Sequence, residues 1–221
     1  MIFDPTTVAG LDEHLRFPSP VPEPQALACD GDRLWISSWE TGRLAQLDKN
    51  QGTVIDEAES PGKPVGGVVT GDELRFVVSE KDDSRFIRRF VPGHGFKSEA
   101  IPCPDDTGSF LAFDGERLWL TQRRLQRVLE LDAHYAVART IESPAQILGA
   151  TVANGKIVLS LWFGAKAGGA ALGTLDPHAA DPAVTIVARS PFVCIALGYD
   201  GSRFWTNDQR ANAIVAFGLP A

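Results

Sequence analysis

Short apolar runs recur along the chain, and each is broken by a tight turn that leads at once into a second apolar run. In five places a glycine follows a small polar residue at this turn, at Gly31, Gly71, Gly115, Gly155 and Gly201. Such pairs between alternating hydrophobic runs are a strong β-hairpin signal, because both residues can take up the positive φ that the turn requires. The pattern predicts five hairpins, repeated at intervals of roughly forty residues.

Each hairpin is followed by the same two further strands. A polar loop leads to a third strand that ends in Leu-Asp, as at Leu131-Asp132, and a fourth strand then leads to a proline. The recurring prolines are Pro61, Pro104, Pro144 and Pro191, where a missing N–H donor suits a crossover between sheets. Four strands per repeat are typical of one propeller blade, here with strands A to D counted along the chain. The predicted repeats span about 21–61, 62–104, 105–144, 145–191 and 192–221 plus 11–20.

The two ends of the chain predict a closed ring. The last repeat stops after its third strand, and residues 13–20, EHLRFPSP, carry the pattern of the missing fourth strand followed by proline. An N-terminal strand that completes the last blade would leave no open sheet edge at the closure. The predicted fold class is therefore all-β: one five-bladed β-propeller with four-stranded antiparallel blades, a single domain over residues 1–221.

Aligned columns in the repeats separate packing residues from candidates for function. Trp35, Trp119 and Trp205 occupy one equivalent position and are expected to pack between blades. Two aligned columns of the first strand contain mostly small residues, as expected where strands crowd around a narrow axis. They are Ala26, Gly66, Phe110, Ala150 and Ala196, and Ala28, Val68, Ala112, Val152 and Gly198. Trp39 and Trp162 lie outside the packing column and are candidates for a pocket wall.

Composition and charge narrow the class of protein. A hydrophobic fraction of 44% and a charged fraction of 22% are those of an ordinary globular chain. The formal net charge of −7 disfavours nucleic acids and anionic membranes as partners. The start, MIFDPTTVAG, has neither the basic nor the apolar region of a leader, so we expect a cytoplasmic protein. Three widely spaced cysteines, Cys29, Cys103 and Cys194, predict neither disulfides nor a zinc site.

Propellers generally place pockets at the mouth surrounded by the B–C loops within blades and the D–A loops between blades. No histidine is expected there, because His94, His134 and His178 fall in C–D turns and His14 in the closing strand. Acid–base chemistry would then fall to carboxylates, with Glu40, Glu80 and Asp208 as catalytic candidates and Asp105 and Asp106 as further ones, or to the thiol of Cys194. The predicted substrate-binding residues are Gln25, Trp39, Arg123, Arg124, Gln146, Trp162 and Arg210.

No metal ligands are predicted and no cofactor is expected, although calcium or magnesium remains conceivable. Asp208, Asn207 and Glu80 are the oxygen donors that could serve a calcium ion, but their spacing matches no calcium motif. The expected partner is a small-molecule ligand held at the mouth, and a protein partner is possible.

The blade signature DGDRLWIS, followed by GRLAQLD and GTV, resembles that of virginiamycin B lyases, glutamine cyclotransferases and NHL repeats. The phrase PQALACDGDRLWISS is most similar to the glutamine cyclotransferases, matching their Gln-Gly-Leu run and following strand at Gln25, Leu27 and Ser37. Ile36 stands where that group has an acidic residue. The lyase resemblance implies a histidine and a bound magnesium at the mouth.

Three functional hypotheses follow. The first is a small-molecule enzyme of lyase, cyclase or transferase type, with acid–base chemistry by carboxylates, arginines that hold an anionic substrate or intermediate, and tryptophan walls. The second is a non-catalytic module that presents the same mouth to a peptide or protein. The third is a metal-dependent hydrolase of lactonase type.

Overall fold

Twenty strands form five four-stranded antiparallel sheets in residues 4–220, the part of the chain that this computed structural model describes. Residues 1–3, part of the start on which the expectation of no leader rests, lie outside that range. Three 3-10 helices, Pro5–Thr7, Lys81–Asp83 and Pro104–Asp106, interrupt the strands. No helix within residues 4–220 is long and apolar enough to cross a membrane.

Each sheet is one blade whose first strand lies innermost. Blade 1 is β2 (Pro24–Asp30), β3 (Arg33–Ser38), β4 (Leu44–Asp48) and β5 (Val54–Ala58); blade 2 is β6 (Lys63–Thr70), β7 (Glu73–Ser79), β8 (Arg85–Val91) and β9 (Gly95–Pro102). Blade 3 is β10 (Leu111–Phe113), β11 (Leu118–Gln122), β12 (Arg127–Leu131) and β13 (Val137–Glu142). Blade 4 is β14 (Gln146–Ala153), β15 (Lys156–Trp162), β16 (Ala170–Leu175) and β17 (Val184–Ser190). Blade 5 is β18 (Cys194–Tyr199), β19 (Phe204–Asp208), β20 (Ala213–Gly218) and β1 (Asp12–Pro18).

The predicted closure by the N-terminal strand is confirmed. Strand β1 pairs antiparallel with β20, from Asp12 opposite Gly218 to Pro18 opposite Ala213. Just before β1, the chain also pairs with the outer strand of blade 4, because the backbone N–H of Arg189 donates to the carbonyl of Ala9 at 2.9 Å. The N-terminal segment therefore joins the outer edges of blades 4 and 5.

The innermost strands contact one another in the order β2, β6, β10, β14, β18 and back to β2, which makes the five sheets a ring. Trp35, Trp119 and Trp205 are each 0% exposed, as expected for packing residues between blades. All five hairpin glycines have positive φ, from 59° at Gly31 to 100° at Gly115, which explains the choice of residue at these turns. The predicted five-bladed propeller is thus confirmed.

Crowding around the axis gives a first prediction, on Gly149 in β14. A Cβ added there would lie 2.6 Å from the backbone carbon of Ala196 in the next blade, and backbone atoms cannot move aside cheaply. We expect Gly149→Ala to lower the free energy of unfolding by about 1–3 kcal/mol through overpacking. Gly10→Ala is the control, because its nearest neighbour is an Arg189 side-chain atom at 3.9 Å. Equal thermal stability of the two variants would contradict the prediction.

Candidate functional site

Loops from all five blades surround a cavity of about 1540 Å³ at one mouth of the ring. The lining comes mostly from the B–C loops and the D–A loops, the two sets that the sequence singled out. Of the ten catalytic and substrate-binding residues selected first, seven line this cavity: Gln25, Trp39, Arg123, Arg124, Trp162, Asp208 and Arg210. Of the three further acid–base candidates, Asp106 also lines it. Their roles in binding or catalysis stay predictions.

The other three of these ten residues, Glu40, Glu80 and Gln146, are not among the lining residues. Glu40 is exposed to solvent. Oε1 of Glu80 lies 2.7 Å from Nε of Arg88 in the next strand, so this carboxylate is committed to an ion pair within its own blade. Gln146 contacts the site indirectly, because its Oε1 accepts a hydrogen bond from Nε of Arg123 at 3.2 Å.

The arginines in the cavity wall fall into two kinds. Nη2 of Arg85 lies 2.7 Å from Oδ1 of Asp83, which gives it a carboxylate partner. Within residues 4–220, Arg123, Arg124 and Arg210 have no carboxylate within 4.0 Å. Burial, with the positive charge of Arg124 added, lowers the pKa of Arg123. The cavity wall therefore contains three guanidinium groups without a direct carboxylate contact, and the charge of one of them, Arg124, acts on Asp83 at longer range.

Two of the cavity carboxylates are committed to structural contacts. Oδ2 of Asp208 accepts a hydrogen bond from Nη1 of Arg16 at 2.9 Å, and Oδ1 accepts one from the backbone N–H of Ala211 at 3.2 Å. The hydrogen bond from Ser79 Oγ, together with the charge of Arg85, lowers the pKa of Asp83. Protein donors therefore occupy both oxygens of Asp208, and they stabilise the charged form of Asp83.

Two further cavity carboxylates, Asp106 and Glu23, have no side-chain hydrogen bond or ion pair within the described residues. The loop that carries Asp106 is nevertheless held firmly. Nε2 of Gln122, a fully buried side chain, donates to the carbonyls of Pro104 and Thr107, each at 2.7 Å. These bonds fix the backbone on both sides of Asp106, an exposed residue of the cavity wall whose carboxylate has no protein partner among the described residues.

Aromatic rings form other parts of the wall. Trp39, Trp162 and Phe192 all line the cavity and are half-buried. Nζ of Lys63 lies 5.0 Å from the ring centroid of Trp39, and the guanidinium of Arg16 lies 4.9 Å from that of Phe192. Half-buried rings of this kind can cover the apolar part of a ligand while polar groups bind the remainder.

Sequence reasoning did not select several lining residues. Arg85, the first residue of β8, lines the cavity and was not among the predicted site residues. Ser109 also lines the cavity, and its Oγ accepts a hydrogen bond from the backbone N–H of Arg123 at 3.2 Å. An arginine directly after the acidic B–C loop was the available signal for the first, whereas nothing in the sequence pointed to the second.

Cys194, a further acid–base candidate, is a buried thiol at the start of β18. It is 1% exposed, and burial raises its pKa to about 12. It is also absent from the cavity lining. A thiol in this state is a packing residue and a poor nucleophile at neutral pH.

The lyase resemblance implies magnesium and a histidine at the mouth. The histidines lie in β1 and in three C–D turns, and none of them lines the cavity: His14, His94, His134 and His178. Within residues 4–220, no three or more His, Cys, Asp or Glu side chains form a group that could hold a metal ion. Of the conceivable calcium donors, Glu80 lies in blade 2 and Asp208 in blade 5. The described side chains do not fit a metal site of the lyase kind.

Comparison with known proteins supports the fold. No family model and no curated protein sequence matches the chain. Among solved structures, Myxococcus xanthus glutaminyl cyclase is similar with a TM-score of 0.67 and 14% identity, over 95% of this chain and 96% of that one. An inactive Staphylococcus aureus virginiamycin B lyase with quinupristin has a TM-score of 0.58 and 13% identity, over 90% and 83% of the two chains.

A streptogramin B lyase structure is also similar, with a TM-score of 0.53 and 18% identity, over 92% of this chain and 67% of that one. These structural neighbours are enzymes, and the resemblance inferred from the blade signature is confirmed at the level of the fold. Sequence identities of 13–18% support a similar fold and do not by themselves support a similar activity. The chain is a five-bladed β-propeller similar in fold to glutaminyl cyclase and the streptogramin B lyases.

Proposed function

We propose that the chain is a small-molecule enzyme whose substrate binds in the mouth cavity and reacts by proton transfer to and from a carboxylate, in a lyase, cyclase or transferase type of reaction. The observation that carries this is Asp106. Its carboxylate lacks a protein partner, lines the cavity and stands on a loop clamped by the buried Gln122. A catalytic base has to be free to accept a proton and held in place to reach it.

Asp106 suits this role better than the three catalytic candidates first selected. Glu40 and Glu80 are outside the cavity wall, and both oxygens of Asp208 already accept hydrogen bonds. Glu23 is the other free carboxylate, and its backbone is held as well, because its N–H donates to Oδ1 of Asn212 at 3.1 Å and its carbonyl accepts from the N–H of Trp39 at 2.9 Å. Glu23→Gln is therefore the second variant to measure. Proton transfer by a positioned carboxylate contributes typically a factor of about 10²–10⁴ to the rate.

The neighbouring Asp105 provides a matched control. Its carboxylate forms an ion pair with Nη2 of Arg127, and it does not line the cavity. We expect Asp106→Asn to lower turnover by about 100-fold or more, because the amide cannot accept the proton, while ligand binding and melting temperature stay close to wild type. Asp105→Asn should leave turnover within a few-fold of wild type.

The substrate can be found by incubating the protein with pooled small metabolites and following depletion by mass spectrometry. Thermal shift with the same pools identifies bound compounds independently of turnover. Turnover by Asp106→Asn at the wild-type rate would remove Asp106 from the mechanism. Compounds that bind tightly and are never consumed would instead favour the non-catalytic binding module.

A further inference from the structure

We propose that Arg123 and Arg124 form a carboxylate-binding subsite on the blade 3 side of the cavity, and that the ligand is a small organic monocarboxylate. As a statement about the substrate, this rests on the proposed function. As a statement about binding, it stands on the arginines alone, and the two can be tested separately.

The first argument is the number of N–H donors without an acceptor. Each guanidinium carries five donors. Among the described residues Arg123 uses one of them, Nε, in its bond to Gln146, and Arg124 donates no hydrogen bond, although its charge acts at longer range on Asp83. Nine of the other thirteen arginines have a carboxylate within 4.0 Å, so pairing with a carboxylate is the commoner state of an arginine in this protein.

The second argument is that Arg123 is held in place before any ligand arrives. Its backbone N–H donates to Oγ of Ser109 at 3.2 Å, and its Nε is fixed by Gln146 of blade 4 at 3.2 Å. With Nε occupied, the two Nη groups remain as a parallel pair of donors. A carboxylate can accept from such a pair through both oxygens, which gives a bidentate contact at little cost in side-chain entropy.

The third argument is local charge. The whole cavity wall is balanced, with four arginines and four carboxylates, but on the blade 2 and blade 3 side three arginines, Arg85, Arg123 and Arg124, outnumber the two carboxylates of Asp83 and Asp106. Arg124 acts on Arg123 as a like charge, and this repulsion contributes to the lowered pKa of Arg123. One bound carboxylate would restore neutrality and relieve the repulsion. A dianion such as a phosphate ester would reverse the excess instead.

The fourth argument is the body of the ligand. Trp39, Trp162 and Phe192 line the remaining wall, so a compound with an aromatic or other apolar group beside its carboxylate fits the mixture of surfaces. Benzoate is the simplest probe with both features. Benzamide has the same shape without the charge, and phenyl phosphate replaces the carboxylate with a dianion.

Isothermal titration with these three probes tests the proposal on the whole protein. We expect saturable binding of benzoate, weakened by added salt, and at least about 10-fold weaker binding of benzamide and of phenyl phosphate. Arg123→Ala and Arg124→Ala should each weaken benzoate binding by about 10- to 100-fold, since each removes charged hydrogen bonds. Lys156→Ala is the control, because Lys156 is an exposed base in the hairpin at the opposite end of blade 4.

Gln146→Glu gives a second test that keeps both arginines. A carboxylate at this position would pair with Arg123 from within the protein, so benzoate should bind about 10-fold more weakly although no donor has been removed. Melting temperatures establish that each variant is folded.

Four results would overturn the subsite: no saturable benzoate binding in the millimolar range, equal binding of benzoate and benzamide, unchanged binding by the double variant of Arg123 and Arg124, or tighter binding of phenyl phosphate than of benzoate. All are binding measurements without turnover. A failed Asp106→Asn experiment therefore leaves the subsite standing, and a failed titration leaves the proposed proton transfer standing.

Discussion

Removing residues 1–18 is expected to abolish cooperative folding at room temperature. The deletion takes away β1, whose backbone pairs with β20 over the length of the strand, and leaves that edge of blade 5 open. It also removes Leu15 and Phe17, which pack against the main hydrophobic cluster. Two such side chains contribute about 1.5–3 kcal/mol each, and the ladder hydrogen bonds about 1 kcal/mol each. The sum is comparable to the whole stability of an ordinary domain.

Denaturant unfolding followed by tryptophan fluorescence measures this effect, since Trp35, Trp119 and Trp205 are buried in the core. Deleting residues 1–8 alone is the matched control: it keeps the pairing of Ala9 and Leu11 with Arg189 and all of β1. We expect this shorter deletion to change the free energy of unfolding by less than about 1 kcal/mol. A stable, cooperative protein lacking residues 1–18 would show that the ring does not depend on its N-terminal strand.

The sequence predicted the fold well because a propeller repeats each structural requirement five times. A single Asp-Gly pair is a local turn signal, but the recurrence of Gly31 at Gly71, Gly115, Gly155 and Gly201 sets the number of blades. Only the last blade lacked a fourth strand, so the strand pattern at residues 13–20 was assigned to it. The structure confirms this with β1, Asp12–Pro18, which pairs with β20. Backbone pairing and hydrophobic alternation are the features that a repeat makes visible.

The site was less predictable, because its chemistry depends on contacts between side chains in different places. The partner of Asp208 is Arg16, 192 residues earlier in the chain, and nothing local to either residue indicates the pair. Asp105 and Asp106 are adjacent in sequence, yet one pairs with Arg127 and the other faces the cavity. The sequence therefore predicts which loops line the cavity. It does not predict which of their carboxylates have a partner within the protein.

The tryptophan column shows the same limit within the core. Trp119 and Trp205 donate through Nε1 to Asp114 and Asp200, at 3.0 and 2.9 Å. Trp35, at the equivalent position, is equally buried but its Nε1 has no partner among the described residues. One aligned column thus contains two kinds of tryptophan, and they differ in what a conservative substitution removes.

Trp205→Phe is therefore expected to destabilise the protein by about 1.5–3 kcal/mol more than Trp35→Phe. Both changes reduce packing volume, but only the first removes a hydrogen bond to a charged group, Asp200, whose side chain is 0% exposed. Trp35→Phe instead removes a buried N–H that has no acceptor. Denaturant titration at neutral pH measures the difference, and equal losses would contradict it.

The pH dependence of this difference identifies its cause. Burial alone would raise the pKa of Asp200, but hydrogen bonds from Trp205 and from neighbouring groups outweigh it and hold that pKa far below its ordinary value. A depressed folded-state pKa contributes stability that is present above the unfolded pKa of about 4 and is lost as the pH falls toward the folded value. Trp205→Phe lowers this contribution, so the gap between wild type and Trp205→Phe should narrow as the pH falls below about 4. A gap that stays constant between pH 7 and acid would mean that packing accounts for the whole effect, because packing does not titrate.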